Sequence, residues 1–147
     1  MKGSAAEEIK PPKPHSTMNN PKEQMYAGLG HLFYSIAASD GRVSSEESAK
    51  LKKLVRQQWI PVEAGQDATG TDLAFYVEIG FDHANAAGMP ADEAFERFLQ
   101  VRTEQSDLFD ASTRNMVTRT AQAVADAFGG QSQHERRMLE KLKEAFL

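Results

Sequence analysis

From Pro21 to the C-terminus, large apolar residues return every third or fourth position and nowhere alternate convincingly with polar ones, a spacing that builds helices and not a sheet. Met25, Leu29, Leu32, Phe33, Ile36 and Ala37 form a first stripe. Leu51, Leu54, Val55, Gln58 and Trp59 form a second, which stops before Pro61 because proline lacks a backbone donor and clashes with the preceding turn. The polar, glycine-containing stretch between Pro61 and Thr71 reads as a loop. A third helix, from about Thr71 to Ala87, offers Leu73, Tyr76, Val77, Gly80, Phe81 and Ala84. Phe75 and Ile79 widen its apolar arc until only a narrow polar strip around Glu78, Asp82 and Asn85 is left, which predicts a central place in the fold. Pro90 suits the first turn of a fourth helix carrying Ala94, Phe95, Phe98 and Leu99. A fifth helix is expected from about Asp110 to Phe128 and a sixth from Ser132 to the end. The expectation is an all-α fold, a single compact domain of about six helices over residues 21–147.

The chain of 147 residues, 40% of them hydrophobic, has enough apolar surface for one core and not for two. Its first twenty residues mix Pro, Lys, Glu and Ser with almost no large apolar side chains and are expected to form a disordered tail. Met18 is an alternative native start, which would make the residues before it an appended leader. No apolar run resembles a signal peptide or a transmembrane segment. A formal charge of −4 argues against a nucleic-acid partner, whose phosphates call for a net basic face. With no cysteine there is neither a disulfide framework nor a thiolate nucleophile, which fits a cytoplasmic protein.

Two helix joints share a pattern. Gly41, Ser44 and Glu47 correspond, at one constant offset, to Gly129, Ser132 and Glu135. In each copy a glycine able to take the left-handed conformation ends one helix, and Ser-x-x-Glu opens the next as a capping box. Leu51 and Leu54 match Leu139 and Leu142, so two related helix hairpins are expected, one at each end of the domain.

The first copy, within "SIAASDGRVSSEESAKLKKLV", and its weaker echo, "AVADAFGGQSQHERRMLEKLKEAF", resemble the tellurite-resistance TerB-like family. That family carries an A-x-x-D-G-x-hydrophobic-S-x-x-E signature at helix junctions of an all-helical domain. The likeness spans roughly Met25 to Phe146, but the second copy has Phe128 where the first has Asp40, and Gln131 where it has Val43. The resemblance implies a compact helical module of bacterial stress responses, of the tellurite- and phage-resistance kind. Protein partners and metal association are implied with it, as are relatives at the front of membrane-anchored J-domain co-chaperones. It does not imply an enzyme. Asp40 and Glu47 match the acidic members of the signature.

The same turn can be tested as an ion-binding loop. With Gly41 at the sixth position of an EF-hand loop, positions one and three fall on Ile36 and Ala38, which offer no side-chain oxygen where calcium needs one. A looser divalent-metal site would combine Asp40 and Glu47 with Glu78 and Asp82, neighbours at i, i+4 on the third helix. Against this stands capping alone: Asp40 bonds within the turn, Gly41 takes positive φ, Ser44 caps, and Glu47 closes the box.

His31, His83, His134 and His15 are scattered without H-E-x-x-H spacing and read as structural. Lys50, Lys52, Lys53 and Arg56 after one box, and Arg136, Arg137, Lys141 and Lys143 after the other, read as solvated helix faces. Trp59 continues the second stripe and is expected in the core, with an exposed anchor beside the loop as the alternative. Two readings of function follow. One is a non-enzymatic TerB-like interaction or regulatory module acting through protein partners. The other is a metal-responsive binding protein built on Asp40 and Glu47. Oligomeric state is left open.

Overall fold

A computed structural model describes residues 21–39, 41–59, 73–127 and 132–147, without the side chains of residues 58, 59, 73 and 74. Asp40, Gly129 and the expected tail and loop lie outside the described residues, as does the Trp59 side chain. The helices are α1 (Pro21–Ala37), α2 (Ser45–Trp59), α3 (Leu73–Ala87), α4 (Ala91–Glu104), α5 (Ala111–Ala127) and α6 (Gln133–Ala145). No strand occurs among the described residues, and the fold is all-α. A 3₁₀ turn over Ser106–Leu108, which the periodicity did not reveal, joins α4 to α5.

The helix in the middle is α1. It packs most extensively on α3 and α4 and also touches α5 and α6. Beyond its expected stripe it buries Tyr26, Ala27, Gly28, Gly30, Tyr34 and Ser35, so it is surrounded on nearly all sides. Small residues permit this. A Cβ on Gly30 would stand 2.1 Å from the Val77 carbonyl oxygen, and one on Gly80 2.0 Å from that of Ala27, so α1 and α3 cross backbone to backbone. The central place expected for α3 therefore belongs to α1, with α3 against it. Phe75 points outward instead of into the core, at 46% exposure.

Phe33, Phe81, Phe95 and Phe98 are fully buried, each contributing about 1.5–3 kcal/mol by leaving water. At one end of the core Phe98, Phe109 and Phe146 stack at ring-centroid distances of 5.9–6.2 Å, and the Arg102 guanidinium lies 5.6 and 5.5 Å from the Phe109 and Phe146 centroids.

The helix ends follow their sequence signals. Gly88, at φ +61°, closes α3 in a Schellman motif: its N–H donates to the Asn85 carbonyl and that of Met89 to the Ala84 carbonyl. Pro90 stands at the cap position just before α4, not inside its first turn, and Asp92 and Glu93 face the helix's positive end. Asp110 caps α5, its Oδ1 accepting from the Thr113 N–H at 2.8 Å.

The two joints with the shared pattern differ in packing. α5 and α6 lie against each other, whereas α2 packs on α5 and α3. Ion pairs fasten α2 to α3: Lys52 to Asp82 at 2.8 Å, and Arg56 to Glu78, which is 8% exposed. Lys50 donates to the Ala127 carbonyl at the negative end of α5. Three of the four cations expected on a solvated α2 face, Lys50, Lys52 and Arg56, are tethers between helices, while Lys53 is exposed as expected.

Candidate functional site

The α1–α2 turn is built as its residue types dictate. Ser39 Oγ donates to the Ile36 carbonyl at 2.8 Å as α1 unwinds. Gly41 follows at φ +134°, a conformation that side chains resist. Ser44 Oγ then accepts the Glu47 N–H at 3.1 Å, while Glu47 Oε1 accepts the Ser44 N–H at 2.9 Å. Both halves of a capping box are present at the surface.

Facing this turn is the α3–α4 turn. Tyr34, rising from α1, donates its hydroxyl to the Met89 carbonyl at 2.8 Å and joins the two. Burial pushes the Tyr34 phenol up, and the nearby Arg42 charge opposes that shift. Between the turns lies a cleft of about 400 Å³ lined by Tyr34, Ala38, Arg42, Val43, Asn85, Met89, Pro90 and Ala91. A second cleft of about 390 Å³ begins at Ala38, Pro90 and Ala91, which line both, and runs to His134, Arg137 and Met138 on α6. Through these shared residues the two clefts adjoin as one groove, lined by apolar and polar side chains, with Arg42 in the first part and Arg137 in the second. Neither Arg42 nor Arg137 has an ion-pair partner among the described residues. Asp92 lies on the rim of the second cleft, 3.8 Å from Lys141.

The carboxylates of the expected metal set are otherwise engaged. Glu47 completes the box, Glu78 meets Arg56, and Asp82 meets Lys52. Asp40 lies outside the described residues, among which no three or more His, Cys, Asp or Glu side chains converge on a common centre. In the second copy Ser132 Oγ accepts the Glu135 N–H at 3.1 Å, and Glu135 is 1% exposed.

Sequence reasoning missed one juxtaposition. His31 on α1 and His83 on α3 meet with Nε2 and Nδ1 3.3 Å apart. The signal lay in the flanking glycines: Gly30 and Gly80 set the close crossing that brings the two rings together, but neither stripe shows which helices cross.

No protein-family model matches the chain, and no curated protein or solved structure matches it either.

Proposed function

We propose that the chain is a non-enzymatic interaction module of TerB-like type, and that its groove beside the α1–α2 turn receives an acidic, partly apolar segment of a protein partner. The observation that carries this reading is the groove itself: apolar side chains from Ala38 to Met138, flanked by the guanidiniums of Arg42 and Arg137, neither of which is ion-paired among the described residues. Arginine forks bind carboxylates bidentately and lose less side-chain freedom than lysines in doing so, which suits recognition of an acidic strand or helix. The hydroxyl in the cleft, that of Tyr34, is committed to the Met89 carbonyl and serves the shape of the groove. The groove adjoins the turn that carries the TerB-like signature. With that resemblance comes the expectation of a cytoplasmic role in a bacterial stress response.

The test is a photoreactive residue placed at position 43, which lines the groove beside Arg42, in cells expressing the chain, with the same group at position 122 on α5 as control. A discrete protein adduct at 43, absent at 122 and weakened by Arg42→Glu or Arg137→Glu, supports the reading. Identical adduct patterns at 43 and 122 reject it.

A further inference from the structure

The α1–α3 crossing assembles a second feature, independent of the groove. His31 follows Gly30, and His83 lies one turn beyond Gly80, so the helix contact that those glycines permit draws both imidazoles to the same edge of the crossing. The ring centroids are 5.4 Å apart, with planes inclined by 64°. His31 Nδ1 lies 3.0 Å from the Ala27 carbonyl oxygen. A carbonyl only accepts, so Nδ1 carries the hydrogen and Nε2 turns its lone pair toward His83. Metal-ligating histidines are held in this way, one ring nitrogen fixed by a backbone carbonyl and the other free to coordinate. Two nitrogens each about 2.0–2.1 Å from a tetrahedral ion stand about 3.3–3.4 Å apart. The observed separation of His31 Nε2 and His83 Nδ1 is 3.3 Å.

We propose that His31 Nε2 and His83 Nδ1 form a binding site for a divalent transition ion of the copper, nickel and zinc class, which clasps α1 to α3 with water in its remaining positions. Without the ion, His83 Nδ1–H donates to His31 Nε2. On binding, the hydrogen of His83 passes to its own Nε2 through exchange with water, since this ring is exposed, and no net proton is taken up or lost. The same exposure gives the ion a route in. His31 also faces Arg97 on α4, whose charge is balanced by Glu93 at 3.5 Å, and Asp82 beside His83 is held by Lys52. These neighbours add no ligand, so selectivity rests on imidazole chemistry. Copper should bind more tightly than nickel or zinc, and the hard ions calcium and magnesium should not compete.

The experiment uses the full chain without an affinity tag, titrated with CuCl₂, NiCl₂ or ZnCl₂ by calorimetry and followed by thermal melting. One equivalent should bind, with a melting temperature that climbs with metal concentration, because an ion held by the native state stabilises it by mass action. His83→Gln changes an exposed side chain and should weaken binding about tenfold or more while the variant still melts cooperatively without metal, and His31→Gln should weaken binding similarly. The bound copper should show two nitrogen couplings by electron paramagnetic resonance, falling to one in His83→Gln. His15→Gln and His134→Gln should bind as the parent does. A melting temperature that is flat or falls with all three ions at millimolar concentration overturns the proposal, as does a His83→Gln variant that binds like the parent, or loss of binding in His15→Gln or His134→Gln.

Discussion

Replacing Gly80 with alanine puts the central helix crossing to a direct test. In an exposed helix the change would gain about 1 kcal/mol of helix propensity. Here the new Cβ would stand 2.0 Å from the Ala27 carbonyl oxygen and 2.8 Å from its carbon. These are backbone atoms of a buried helix, so no side chain can swing aside, and relief requires α1 and α3 to separate along their contact. Overpacking where side chains can yield costs about 1–3 kcal/mol, and rigid backbone puts this site at or above the upper end. Setting about 3 kcal/mol against the propensity gain leaves a net loss of about 2 kcal/mol. For a chain of this size that lowers the melting temperature by about 8 °C. Gly28→Ala is the control, since its Cβ would meet the side chain of Val101 at 3.0–3.1 Å, a contact that half-buried valine can ease by small shifts. Its net effect should stay within about 1 kcal/mol. Urea unfolding of both variants with a shared m-value gives the two differences. If Gly80→Ala proves as stable as Gly28→Ala, the backbone crossing is not as close as argued.

Ser44→Ala should destabilise the chain by about 1 kcal/mol in the same assay, because the Glu47 N–H loses its acceptor and the box its anchor. Arg56→Ala should lose about 1–3 kcal/mol by leaving the buried Glu78 carboxylate without its cation, and adding Glu78→Gln should recover part of that loss, as a double-mutant cycle of thermal melts will show. Burial, with the His83 and Arg97 charges, holds the His31 imidazole below its ordinary 6.5 despite the opposing Ala27 hydrogen bond. The unfolded chain therefore binds this proton first, so stability should be full above about pH 6.5 and fall as pH drops below it, and His31→Gln in chelator should flatten that slope. Calcium at millimolar concentration should leave the melting temperature unchanged, because Glu47, Glu78 and Asp82 are held by the Ser44 amide, Arg56 and Lys52; a rise abolished by Asp40→Asn would overturn this.

What could be read in the chain was what depends on neighbours in sequence. Helix number and class followed from the three- and four-residue recurrence of apolar side chains, and the α2 and α6 caps from Ser-x-x-Glu, because both signals act within a turn or two. The encirclement of α1 was hidden because Gly28 and Gly30 add nothing to an apolar stripe, yet their missing side chains are what let neighbours close in on that face. Glu78 looked like part of a polar strip, and its burial depends on Arg56 arriving from another helix. The His31–His83 contact needs a crossing point that no single-helix pattern encodes. Gly88 was legible and missed: Gly followed closely by Pro after a helical run is a stop signal, and it closes α3 as a Schellman cap.

The two copies of the Gly-x-x-Ser-x-x-Glu pattern show how one local device takes two roles by context. Around Ser44 the box is at the surface, and both of its hydrogen bonds can exchange with water. Around Ser132 the glutamate is sealed, at 1% exposure, with Ser132 Oγ 3.3 Å from its Oε1 as well as accepting its N–H. A buried carboxylate is costly to disturb, so the second joint is constrained to serve the core. The first carries no such burden. Its cap is satisfied without help from the core, which leaves Arg42 and Val43, between the glycine and the serine, free to line a groove. Capping chemistry explains why the pattern occurs twice, and packing decides that its glutamate stays at the surface in the first copy and is sealed in the second.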